Sequence, residues 1–390
     1  MVSRHLRSRT RALLMIVSAI VAACGSASTS AVPPAVSGEP GQATNQAPSN
    51  VPSLDSAATV EEVLAAVADM SAEDREAALL QKAEADGAEF VGYFIMNAPS
   101  AKKIADAFIE AYPTMAEQHL DGSGGIQLER ILDEASAGRH EWDVAIVNPE
   151  HISLIREADL MSPYSGPTLE EIPDAYRAEN GEWVDLYTQQ QALMYNTDLV
   201  ATPPTSLEDL TDPQYRGKFT MDPEQYEWFQ VVLETLGEDE GLDLMQRIKA
   251  NDPVIMRGGG EQREAVANGE VWMAVSITDY DITGMTEEGT PVDLVYLEEV
   301  NVRKHGPMVL SKHGPNPAAA VLFFDWALSL DGQQAIHDAT SRFAVHPDVV
   351  DTSPELAARR QGIATGAVDL DNFAENYAAI TAQYQDVMVD

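Results

Sequence analysis

The chain has 390 residues, 45% of them hydrophobic but only 7% aromatic, with 24 Lys and Arg against 63 Asp and Glu for a formal net charge of −39. A surface this acidic repels nucleic acid and anionic lipid and accumulates cations. A single cysteine excludes both an internal disulfide framework and a cysteine-cluster metal site, so the fold must hold through its core.

Arg4, Arg7, Arg9 and Arg11 precede any acidic residue, an apolar run fills residues 12–23, and small residues stand before Cys24. These are the three parts of an export signal, and the run is shorter than the roughly 20 apolar residues that cross a bilayer. The order Val21, Ala22, Ala23, Cys24 resembles the lipobox of bacterial lipoproteins. That resemblance implies a signal peptide over 1–23 and a lipid on Cys24, which would hold the protein to a membrane outside the cytoplasm. Residues 24–54 are rich in Ser, Ala, Pro and Gly and carry no hydrophobic period, the composition of a flexible tether.

Residues 55–87 predict two short helices, with Ser71 and Asp74 placed as a capping box and Gly87 as a stop. Apolar runs at 90–96 and 142–147 predict buried strands, and helical spacing covers 101–113 and 126–138. Strands are expected again at 192–196, 218–221 and from 271, 292 and 306, with helices at 226–237, 241–250 and 261–269 and one long apolar helix over 316–339. Alternating strands and helices imply an α/β fold on a parallel sheet, whose ligands bind beyond the carboxyl ends of the strands. The loops there begin at Asn97, Gly122, Asn148, Asp222 and Thr278. Gly122–Gly125, which include Ser123, and Gly258–Gly260 approach helix N-termini that offer N–H groups to anions, although glycines before helices also mark plain turns.

AFIEAYP (107–113), MYNTDLV (194–200), PPTSLEDLTDPQYRGKFTMDP (203–223), VANGEVWMAV (266–275) and NPAAAVLFFDWALSLDGQQ (316–334) follow in fixed order. Together they resemble the extracellular solute-binding proteins of ABC importers and are most similar to the ferric-iron-binding branch. The resemblance implies a two-lobed, type II periplasmic-binding fold with hinged parallel-type sheets, a ligand between the lobes, a permease as partner and a monomer rather than an enzyme. Lobe 1 is expected over 88–191 and 300–345, lobe 2 over 192–299, and a C-terminal segment packing on both over 346–390. Iron-binding relatives use tyrosines at places matched here by Tyr226 and by Asp279–Tyr280, so these three residues are the ferric candidates. Phenolate and carboxylate are hard donors that suit Fe(III). Gln189 and Gln191 stand where such relatives carry the arginines that hold a synergistic anion, and glutamine lacks that charged fork. The alternative is a small organic solute, an amine, phosphonate or carboxylate, stacked on Tyr226 and Tyr280 and hydrogen-bonded by Asn97, Gln189 and Gln191. His151 reads as a surface residue near the expected cleft. For a secreted hydrolase, the sequence holds neither a G-x-S-x-G elbow nor an H-E-x-x-H pair, and the repeats of an adhesin are missing.

Overall fold

In the computed structural model the described residues are 54–388, less 122, 123 and 353. Cys24, the expected export signal and Ser123 lie outside them. The first elements are α1 (Val60–Val67) and α2 (Ala72–Ala85). Thr59 and Glu62 close a reciprocal capping box on α1, and Ser71 accepts the Asp74 N–H to start α2.

The first half-sheet begins with β1 (Glu89–Phe94), α3 (Ala98–Ala111), β2 (Ala116–Asp121), α4 (Gly124–Ser136) and β3 (Val144–Ile146). Its β1 lies parallel between β2 and β3. Next come α5 (His151–Glu157), β4 (Met161–Ser162) and β5 (Val184–Asn196), a strand of 13 residues that runs through both halves. The second half is built from β6 (Phe219–Met221), α6 (Tyr226–Leu236), α7 (Glu238–Ala250), β7 (Val254–Ile255), α8 (Gly259–Ala267), β8 (Met273–Thr278), α9 (Thr283–Glu287) and β9 (Val292–Val295). The chain then returns through β10 (Arg303–Ser311), α10 (Pro317–Leu328), α11 (Leu330–Thr340), α12 (Pro354–Arg360) and α13 (Leu370–Met388).

The strand order is β2-β1-β3-β10-β5-β8-β6-β7. Parallel pairing holds on the two flanks, whereas β5 pairs antiparallel with β10 in the first half and with β8 and β9 in the second, and β10 runs antiparallel to β3 as well. The result is the two-lobed α/β architecture. The single helix expected over 316–339 is instead α10 and α11. Ser329 breaks it with an extended backbone (φ −69°, ψ 160°), and its hydroxyl then caps α11 by accepting the Gly332 N–H at 3.1 Å.

Eleven of the twelve residues of α10 are buried, since α1 and α2 cover the side that faces away from the sheet. A helix apolar all round needs such cover. Asp325 is the polar exception. Arg75 of α2 forks onto it at 2.6 and 3.0 Å, and the Tyr164 hydroxyl donates to it at 2.5 Å. At the other end of the chain, α13 packs on α5 of the first half and on α6 and α7 of the second. Asp371 pairs with Arg156 at 2.7 Å, and the Tyr384 hydroxyl donates to the Asp222 carbonyl at 2.6 Å. This strap was not foreseen as a helix.

Candidate functional site

The carboxyl ends of β3, β6, β7 and β8 open onto a cleft of about 900 Å³. Strand β5 floors it with Gln189 and Gln191, and β10 adds Lys304, directly opposite Gln189 in register. The turn into α5 brings Glu150 and His151, the turn into α6 brings Asp222, Glu224, Gln225, Tyr226 and Glu227, and α13 adds Phe373 and Tyr377 as a side wall.

Charge is uneven in this cleft. Glu129, Glu150, Asp222, Glu224 and Glu227 face two cations, Arg257 and Lys304. Arg257 is spent at the exposed rim on Glu224, 2.6 Å away. Lys304 Nζ lies 3.2 Å from a carboxylate oxygen of buried Glu227. Burial works against the charge on Lys304, yet Glu227 and Glu150 outweigh it and raise its pKa. Burial likewise pushes the Glu227 and Glu150 carboxyls upward, with Lys304 opposing, and it lowers His151 to about 4, so that imidazole is neutral.

Three buried atoms of the cleft have no hydrogen-bond partner: Glu227 Oε1, Gln191 Oε1 and His151 Nδ1. Gln191 donates its amide to the Ser276 carbonyl at 3.3 Å and the Gln225 Oε1 at 3.4 Å, which fixes its own oxygen as the acceptor left over. With its proton on Nε2, which faces Glu150 at 3.8 Å, His151 also presents an acceptor. Ser276 makes this arrangement possible. Its backbone is left-handed (φ +64°), rare for a residue with a side chain, and it sits beside the register break between β5 and β8. The turned carbonyl serves both Gln191 and Gln225.

Of the expected site residues, Gln189, Gln191 and Tyr226 line the cleft. Tyr226 opens α6 with its ring edge-on to Tyr377 and Tyr384, 5.6 Å from each. Asn97 is not in the lining; it caps α3, accepting the Ser100 N–H at 2.9 Å. Asp279 is fully buried, with both oxygens engaged by Arg360 at 2.7 and 2.8 Å and one also by the Tyr296 hydroxyl at 2.5 Å. Tyr280 stands 5.1 Å from the Arg342 guanidinium, which also lies over Tyr187. The three ferric candidates are therefore not gathered in one cavity. Among the described residues no three His, Cys, Asp or Glu side chains are placed to hold a metal. His151, expected at the surface, is 5% exposed and lines the cleft, because the short α5 turns its first residue inward. Lys304, Glu227 and Glu150 were missed. The available signal was a lone acid in the apolar run YEWFQVV, where a charge on a buried helix face demands a partner.

Two halves joined by one long shared strand, with an acceptor-lined cleft between them, have the build of a solute-binding protein. Residues 103–364 match the family of bacterial extracellular solute-binding proteins, and the chain belongs to it. Among its relatives, an Fe(3+)-binding periplasmic protein of Serratia marcescens is 25% identical over 221 residues, 53% of this chain and 64% of that one. A putative 2-aminoethylphosphonate-binding periplasmic protein of Salmonella typhimurium is 25% identical over 175 residues, 43% of this chain and 50% of that one. The fold is also that of iron-bound HitA from Pseudomonas aeruginosa (TM-score 0.64, 22% identity, 77% of this chain and 99% of that one).

Proposed function

We propose that the protein captures a small positively charged solute, an amine, outside the cytoplasm and delivers it to an ABC importer permease. The observation that carries this reading is the buried, unpartnered Glu227 Oε1, in a cleft that Gln191 and His151, each with an unpartnered acceptor, also line. The cleft holds five acidic side chains against Lys304 and Arg257, and an ammonium donor would complete the Glu227 oxygen that lacks a partner. In this account the halves, residues 88–191 with 300–345 and residues 192–299, hinge shut on the ligand. The protein works as a monomer tethered through Cys24.

Ferric iron or a ferric complex is the second reading, favoured by the Serratia relative and by Tyr226 in the cleft. Asp279 would first have to give up the two-pronged contact with Arg360.

Calorimetry with butylamine, 2-aminoethylphosphonate, acetate and ferric citrate separates the two. The amine reading expects binding by amines and a loss of about 10-fold or more in Glu227→Gln, the worth of a hydrogen bond to a charged group. Binding of ferric citrate with no amine bound, unchanged in Glu227→Gln, would overturn it.

A further inference from the structure

Lys304 is a tethered primary ammonium already seated among the carboxylates that face the cleft. It reaches from β10, across the register pair with Gln189, to Glu227 on α6, so the contact links the strand floor to the opposite wall. Glu150 and Asp222 add attraction to the same charge. Glu227 is 6% exposed, and an ion held there has little water to screen it.

We propose that Lys304 is the charge filter of the cleft: by occupying one oxygen of the Glu227 carboxylate it disfavours a second external positive charge beside Glu150 and Glu227. The inference rests on the reading of the site as one for a cationic solute, and it names the residue that sets how many charges that solute carries. A dication entering the cleft would bring its second ammonium against that of Lys304, and like charges in a partly desolvated site repel strongly. Removing the ammonium would leave Glu150 and Glu227 both uncompensated, a pair suited to two cationic ends. The aliphatic stem of Lys304 fills space beside Gln189, so methionine is the replacement that preserves shape while deleting charge.

The test compares butylamine with 1,4-diaminobutane, equal in carbon chain and different by one charge, on the wild type, Lys304→Met and Lys304→Arg. The wild type and Lys304→Arg should prefer butylamine, and Lys304→Met should invert the ratio by about 10-fold or more in favour of the diamine. An unchanged ratio in Lys304→Met, or equal loss of both ligands, would overturn the filter. A ligand-free measurement stands beside it. Lys304→Met should lower the melting temperature by leaving Glu227 buried and unpaired, and Lys304→Met/Glu227→Gln should recover most of that loss. If the single variant melts like the wild type, the pair does not hold and the filter fails. If melting follows this pattern but neither amine binds any variant, the amine reading is what falls, and the Lys304–Glu227 compensation survives it.

Discussion

Raising the pH from 6 to 10 should cost the folded protein about 3 kcal/mol through His305 alone, by the linkage between pKa and stability. His305 Nδ1 lies 2.5 Å from Asp185 Oδ2, and Nε2 lies 3.1 Å from the Val368 carbonyl. Both ring nitrogens thus face acceptors, the arrangement of an imidazolium. The second Asp185 oxygen is held by the Gly306 N–H at 3.1 Å. Burial by itself lowers the pKa of His305, but Asp185 outweighs it and lifts the value to about 9, against 6.5 in the unfolded chain. Burial raises Asp185 too, with the contact to His305 opposing. Because the folded pKa is the higher one, the stabilisation is complete below about pH 6.5 and is lost as pH rises through about 9. A gap of about 2.5 units at 1.36 kcal/mol each gives the magnitude. Urea denaturation of the wild type and His305→Gln at pH 6, 8 and 10 measures it: the wild type should lose about 3 kcal/mol more than the variant across that range. Val368 stands just before α13, so the protection of α13 amides, relative to the base-catalysed intrinsic rate, should also fall above pH 9. Equal losses in the two proteins, or a wild type that gains stability on the alkaline side, would refute the reasoning.

Arg75→Ala should destabilise by about 3–5 kcal/mol, since it strands the Asp325 carboxylate under α2; chemical denaturation reads the loss, and Arg75→Ala/Asp325→Ala should regain part of it. At Ser276, glycine should leave stability within about 1 kcal/mol, because it adopts the left-handed backbone freely. Valine there should lower both the melting temperature and the affinity for butylamine, as a β-branched residue resists that conformation. Cys24→Ser should release the protein from the membrane fraction with an unaltered melting temperature, and continued sedimentation with membranes would count against lipid anchoring.

Periodicity made most of the frame legible. The runs that became β1, β3 and β10 and the helices α3, α4, α6 and α7 declare themselves through apolar spacing that local packing obeys. The N-terminal half of β5 was hidden because VDLYTQQ is studded with polar residues, tolerated there by the cleft and by pairing with β10. Helix α13 was legible and overlooked: Phe373, Tyr377, Ile380, Tyr384 and Met388 keep helical spacing throughout. The site resisted for a different reason. Tyr226, Gln189 and Gln191 could be placed by likeness, but Lys304 and Glu227 are 77 positions apart in the chain and acquire meaning only when β10 and α6 meet. Asp279 misled because its carboxylate satisfies Arg360, a partner 81 residues further on.

Native mass spectrometry of the protein purified from its own cells, with metal analysis of the same sample, tests the central claim most directly. The account predicts a one-to-one adduct that dissociates as a small organic molecule with a single basic nitrogen, and no stoichiometric iron. Iron at one equivalent per chain, or an adduct lacking any basic nitrogen, would contradict it.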